Sequence, residues 1–228
     1  MINQKTIAIL PTPESIKILV VGCGAIGSKI CNEAVRLGLE NFTLYDHDKV
    51  VEYNVGNQYF ILKDVDKFKV DACKRFIWDV HPGAIVNTNA IRFDGSVDDV
   101  DYVFIAVDSM KARAAIFEDV LTTSQLLGKD FKVIDARMNL YEVSVYSCDT
   151  GKPESVKRYK KTLYSDDKVA EEFKSVCGTV QGLGTISSLA GAMAIQKMIQ
   201  LHQGKLKYGE EIVNIEDGFH AVCFTFHK

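Results

Sequence analysis

Six consecutive residues, Gly22-Cys23-Gly24-Ala25-Ile26-Gly27, carry the spacing Gly-x-Gly-x-x-Gly. Glycine at the first position permits a tight turn, and at the second it lets backbone approach a pyrophosphate. At the third it allows a helix to pack closely on a strand. With a helix starting inside the motif, its unpaired amides and its dipole face a bound anion. Asp46 follows Gly27 by 19 residues, the interval at which an acid ending the next strand accepts hydrogen bonds from ribose hydroxyls. The loop and this acid alone admit either NAD or ATP, and the residues beyond Asp46 must choose. The stretch from Asp46 to Gln58 is dense in carboxylates and amides, among them Asp48, Asn54, Asn57 and Gln58. Lys69, at a helix start, is a point charge suited to phosphate. Val107-Asp108 closes an apolar run beside the crevice where doubly wound sheets bind ligands. One lysine, one strand-end carboxylate and a cluster of amides describe a site for a magnesium nucleoside triphosphate better than one for hydride transfer.

Those side chains need a scaffold, and the apolar spacing supplies one. Lys17 to Val21 is a β-branched run ending in glycine, a buried parallel strand. Ala25 to Leu37 follows with Ile26, Ile30, Ala34 and Leu37 at helical spacing, and Gly38 is a stop signal. Phe42 to Tyr45 closes a strand–loop–helix–strand unit, the context that argues against a glycine turn with no ligand. Lys67 to Trp78 reads as a helix ended by His81-Pro82-Gly83, with Phe76 and Trp78 in the core and His81 structural. Ile85 to Ile91 and Tyr102 to Val107 read as strands, Ala112 to Leu127 as a helix, then Val133 to Asp135 and Tyr141 to Tyr146 as strands. Residues 149–175 are charged and poor in aliphatics, a solvated crossover and a candidate lid or partner contact. A helix over 183–201 and strands Glu211 to Ile215 and Ala221 to Phe226 complete the chain. The fold class is α/β: a Rossmann-like, doubly wound, mainly parallel sheet with antiparallel C-terminal strands, in one domain spanning residues 1–228.

Composition sets the outer limits. A 228-residue chain with 47% hydrophobic and 25% charged residues is ordinary globular material. A domain of this size buries roughly 70% of its unfolded surface and folds without a disulfide or structural metal. A net charge of −3 leaves no electrostatic footprint for nucleic acid. The six cysteines form no Cys-x-x-Cys pair, so no zinc is expected, and their scatter suits a reducing, cytoplasmic setting. Residues 1–13 lack the apolar core of a signal peptide. Gln196, Lys197 and Gln200 interrupt the 183–201 helix, which argues against a membrane span.

As an ordered set these motifs resemble the ThiF/MoeB/E1 superfamily of adenylating enzymes. The resemblance runs from about Ile18 to the C-terminus. It takes in the glycine loop, Asp46-x-Asp48-x-Val50, Asn54 with Gln58-x-Phe60, Lys69 within Asp66-Lys67-Phe68-Lys69, and Asp108 with Arg113. It continues through Cys177 ahead of the 183–201 helix to the final pair of strands. Asp108-Ser109-Met110 and Asp135-Ala136-Arg137-Met138 look closer to stand-alone bacterial or phage ThiF-like proteins. The resemblance implies ATP-dependent adenylation of the C-terminal carboxylate of a ubiquitin-like or sulfur-carrier protein or a peptide, with release of pyrophosphate. It implies that Asp108 holds Mg²⁺, Lys69 binds the phosphate chain, Asn54 and Gln58 fix the triphosphate, and Asp46 holds the ribose. Asp48 either touches the nucleotide or orients its loop by an Asx-type hydrogen bond.

The departures from the family pattern are as informative. Asn57-Gln58 stands where the family has an Arg-Gln pair, and no arginine precedes Arg36. Two expected cations are therefore missing, and Lys67, Lys111, Arg113 or Arg137 are the candidates to replace them. Cys177 lies where several relatives carry a thiol that captures the acyl group as a thioester; the alternative is a small residue at a helix start. Asp108 has a second reading as a helix N-cap, Lys69 as a solvated helix residue, and Arg137 as the partner of an acid rather than of a ligand. Two other functions remain open: a non-catalytic, pseudo-E1 nucleotide-binding subunit, and an NAD(P)-dependent oxidoreductase. A homodimer is expected from the resemblance and from the apolar 183–201 helix.

Overall fold

The β-branched and aromatic runs pair as a single sheet whose central strands, Lys17–Val21 and Tyr102–Ile105, are buried on both faces. In a computed structural model, which describes residues 9–97, 99–163, 183–205, 209–214 and 220–225, eight strands lie in the order β3-β2-β1-β4-β5-β6-β7-β8. They are β1 (Lys17–Val21), β2 (Asn41–Tyr45), β3 (Ile85–Asn89), β4 (Tyr102–Ile105), β5 (Lys132–Met138), β6 (Glu142–Asp149), β7 (Gly209–Asn214) and β8 (His220–Thr225). Pairing is parallel from β3 to β5 and antiparallel from β5 to β8. The strand order reverses at β1, which has β2 on one side and β4 on the other. This switch point opens a crevice at the strands' carboxyl ends.

Among the described residues five α-helices cover the sheet: α1 (Ala25–Leu37), α2 (Lys69–Val80), α3 (Met110–Leu127), α4 (Pro153–Lys161) and α5 (Gly184–His202). Ile18 and Val20 of β1 point into a core with residues of α1, α2 and α5. Leu19 and Val21 point into a second core with residues of α3 and with Tyr159 of α4. That two-sided burial is why the parallel strands read as continuous apolar runs. Gly38 ends α1 at φ +98°, its amide bonded to the carbonyls of Ala34 and Val35.

The elements differ from the sequence reading at several ends. Helix α2 begins at Lys69 rather than Lys67, because Asp66 takes φ +69° and the Lys67 amide turns back to the Asp64 carbonyl. Trp78 is 43% exposed rather than core; its indole N–H donates to the Ala84 carbonyl, and Lys74 lies over its ring. Phe76 is buried as expected. Strand β3 stops at Asn89, while β5 and β6 run on to Met138 and Asp149 as a hairpin. The first part of the charged crossover is helix α4, anchored by the buried Tyr159; residues 164–175 of that segment lie outside the described residues. Helix α5 spends its apolar surface inside the chain, on α1, β5 and β6, so it offers no argument for a second copy. Among the described residues no helix is long and apolar enough to cross a membrane.

Candidate functional site

The three glycines of the loop occupy three different surroundings. A Cβ on Gly22, whose φ is +91°, would lie 2.7 Å from the Ala106 carbonyl oxygen. One on Gly27 would lie 1.8 Å from the Gly22 carbonyl oxygen. Both positions therefore exclude a side chain, because β1, α1 and the end of β4 meet there. A Cβ on Gly24 would meet nothing within 4 Å, so this glycine faces open space at the mouth of the crevice. Gly24 caps α1, and the first helical bond runs from the Ser28 amide to the Gly24 carbonyl at 3.0 Å. The amides of Ala25, Ile26 and Gly27 precede that bond and present the positive end of the helix.

Four ionisable groups converge beside the loop. Asp46 accepts the Cys23 amide at 2.7 Å through one oxygen and the Asp48 amide at 2.8 Å through the other. The Asx-type role considered for Asp48 thus belongs to Asp46. Burial pushes the Asp46 carboxyl above the usual carboxylate range, against the pull of Lys69 and the two amides. Asp48 instead pairs with the Lys69 ammonium at 2.7 Å. Burial of Lys69 opposes its charge, but Asp46, Asp48 and Asp108 together outweigh that and raise its pKa. Asp108 is exposed just past the end of β4. The N-cap of α3 is Ser109, whose side chain accepts the Ala112 amide, so Asp108 is not spent on capping. Asp46, His47 and Asp48 bring one ligand atom each within 4.8 Å of one another, and Lys69 already supplies a cation there.

The amide group forms a neighbouring wall. Asn54 is buried, and its side-chain oxygen accepts the Val51 amide at 3.0 Å, closing a 3₁₀ turn over Glu52–Gly56. The Asn54 carbonyl receives the amides of Asn57 and Gln58. Ser28, in the first turn of α1, accepts the Tyr59 amide at 3.0 Å, and Ser187, in the first turn of α5, donates to the Asn57 carbonyl at 3.1 Å. Residues 54–59 are thereby wedged between two helix starts. The Gln58 side-chain oxygen is buried with no partner among the described residues.

Two of the four candidate replacement cations are engaged elsewhere. Arg113 and Arg137 both bind the fully buried Asp135, so Arg137 pairs with an acid. Lys67 is half exposed, 3.8 Å from Asp64, and Lys111 is exposed. A cation not singled out from sequence, Arg92, acts on Asp48. It lies three residues past Asn89, which is paired with Tyr45, and extending that register past the strand ends would have placed it opposite Asp48. Cys177 lies outside the described residues. The described thiols Cys23, Cys31, Cys73 and Cys148 are all buried.

Comparison with known proteins bears on the family and the fold. The ThiF family profile matches residues 12–222. A 74-residue stretch, 32% of the chain, is 39% identical to the DNA damage tolerance protein RHC31 of Saccharomyces cerevisiae, of which it covers 21%. A stretch of 116 residues, 43% of the chain, is 29% identical to ubiquitin-like modifier-activating enzyme 5 of Drosophila persimilis and covers 30% of it. These matches span less than a third of either relative. E. coli MccB, solved with ATP, superposes with a TM-score of 0.72 at 15% identity, over 97% of this chain and 67% of that one. The same protein with AMPCPP and MccA gives 0.70 at 15% identity, over 97% and 67%. At such identity the structural likeness speaks for the fold.

Proposed function

Because the chain belongs to the ThiF family, we propose that it activates a C-terminal carboxylate by adenylation with ATP. The observation that carries this reading is the convergence of Lys69 with Asp46, Asp48 and Asp108 at the open side of the glycine loop. The substrate carboxylate attacks the α-phosphorus, the bond to the bridging oxygen breaks, and an acyl-adenylate and pyrophosphate result. Negative charge grows on the departing pyrophosphate. The amides at the start of α1 are fixed in advance to receive it, which is where such groups act most strongly. Lys69 turns from Asp48 toward the phosphates, and Asp46 shares its carboxylate between the loop amides and the ribose. Gln58, with its unpartnered side-chain oxygen, Asn54 and Asn57 line the triphosphate. The exposed Asp108 offers hard oxygen donors that fit Mg²⁺, which when bound neutralises phosphate charge and orients the α-phosphoryl group.

The carboxylate comes from a ubiquitin-like or sulfur-carrier protein, or from a peptide. The likeness to ubiquitin-like modifier-activating enzyme 5 supports the first, and that to MccB with MccA supports the second. The Cys177 thiolate is the candidate for subsequent capture, displacing AMP to give a thioester. Pyrophosphate–ATP exchange with candidate carriers and peptides tests the reading. Wild type is expected to exchange, and Asp108→Ala to lose roughly 100- to 1,000-fold in rate. Tight ATP binding with no exchange for any carboxylate would favour a second reading, a nucleotide-binding subunit without turnover. Asn57 in place of the family's arginine, with Arg113 and Arg137 held by Asp135, is the observation in its favour.

A further inference from the structure

Asp135 is fully buried midway along β5, opposite Ile105 at the carboxyl end of β4. One of its oxygens receives Nη1 of Arg113. The other receives Nε of Arg137 at 2.8 Å, Nη2 of Arg137 at 2.7 Å and the Tyr159 hydroxyl at 2.8 Å. A buried carboxylate is tolerated only when satisfied in this way. What the cluster holds at its margins is more telling. Arg137 donates to the carbonyl and hydroxyl of Thr162, at 2.8 and 2.9 Å, just past α4. Arg113 donates to the carbonyls of Ile105, at 3.4 Å, and Val107.

Those two carbonyls lie where the sheet stops supporting the chain. The β4–β5 register ends at Ile105 opposite Asp135, and the Ala106 amide bonds back to Val21 at 2.9 Å. Val107 lies beyond the ladder, where its carbonyl receives the Arg113 guanidinium. The next residue is Asp108.

We propose that Asp135 is a positioning residue for the nucleotide site: it fixes the Arg113 guanidinium against the Ile105 and Val107 carbonyls and thereby sets the Asp108 carboxylate where a nucleotide-bound divalent cation meets it. This rests on the nucleotide reading of the site. It assigns a task to Asp135, Arg113 and Tyr159 in which none of them touches the nucleotide. A purely structural tie of α4 to the sheet would weaken folding, and would lower ATP affinity equally with and without the cation.

Calorimetric ATP binding in Mg²⁺ and in EDTA separates these roles. Asp135→Asn is expected to cut the Mg²⁺-dependent gain in affinity by roughly 10- to 100-fold, the usual cost of losing a group that orients a metal ligand, while affinity in EDTA stays at the wild-type value. Tyr159→Phe keeps the ring, removes one bond to Asp135, and should give a smaller shift of the same sign; it carries the test if Asp135→Asn does not fold. In an Asp108→Ala background, Asp135→Asn should add nothing, because the two act in series. Equal loss with and without Mg²⁺, or additive effects in the double variant, would overturn the proposal. Wild type that gains affinity from Mg²⁺ in an Asp135-dependent way, yet never exchanges pyrophosphate, would remove the adenylation reading and leave this positioning role standing. Exchange with an unaltered Mg²⁺ gain in Asp135→Asn would do the reverse.

Discussion

Gly22, Gly24 and Gly27 are one motif in the sequence and three different constraints in the molecule. Gly22 and Gly27 are forced by neighbouring carbonyls, whereas Gly24 borders empty space. Gly27→Ala should therefore destabilise by at least the roughly 1–3 kcal/mol of an overpacked core, seen as a lowered melting temperature. Gly24→Ala should melt close to wild type, with about 1 kcal/mol at stake for its place as N-cap, and yet lose ATP affinity because its methyl fills the phosphate's approach. Unchanged ATP affinity in folded Gly24→Ala protein would remove this glycine from the site. Residue types and intervals placed Asp46, Lys69 and Asp108 near the loop. They did not reveal that both Asp46 oxygens are taken by amides, or that Lys69 rests on Asp48. Nor could they pair Arg113 with Asp135, 22 residues on, because only the sheet order makes those two neighbours.

At the scale of elements, the apolar period located the strands and the long helices because burial on a fixed face repeats with the backbone. It failed where a local bond beats the period, as at the Asp66 turn that delays α2. It also missed α4, a lysine-rich segment whose one deeply buried anchor is Tyr159. Helix α5 was the opposite case, apolar nearly all round and so signalling burial without saying against what. The partner is chiefly α1: a Cβ on Gly191 would lie 2.6 Å from the Lys29 Cβ and 3.3 Å from the Ile30 amide nitrogen. Gly191→Val should push the two helices apart and cost about 1–3 kcal/mol. Denaturant unfolding reads this directly, and a midpoint equal to wild type would refute so tight a contact.

For the whole molecule, a mainly parallel sheet with an antiparallel tail follows from helices alternating with strands early in the chain and a hairpin late. The order of the strands, and with it the switch point, is a matter of long-range pairing that local sequence does not encode. Burial on both faces of the sheet also leaves a signature in alkali. It lifts the Cys148 thiol to about 12 and the Tyr146 and Tyr159 hydroxyls to about 12, from ordinary values of 9.0 and 10.0. Below about pH 9 both the folded and unfolded chains keep these protons. Between about pH 9 and pH 12 the unfolded chain sheds them first, so stability falls as pH rises. Unfolding midpoints should drop across that window, with a shallower drop in Cys148→Ala, and midpoints flat to pH 12 would contradict the burial of these groups.

The ring of acids around Lys69 has a kinetic consequence. Asp46, Asp48 and Asp108 bring three formal negative charges to the mouth of the crevice against the two positive charges of Lys69 and Arg92, and its walls focus the field. A bare triphosphate approaches against that field, whereas one already chelated arrives with part of its charge cancelled. Under the adenylation proposed above, the crevice sorts free from chelated nucleotide by how fast each can enter, before either has reached the amides at its floor.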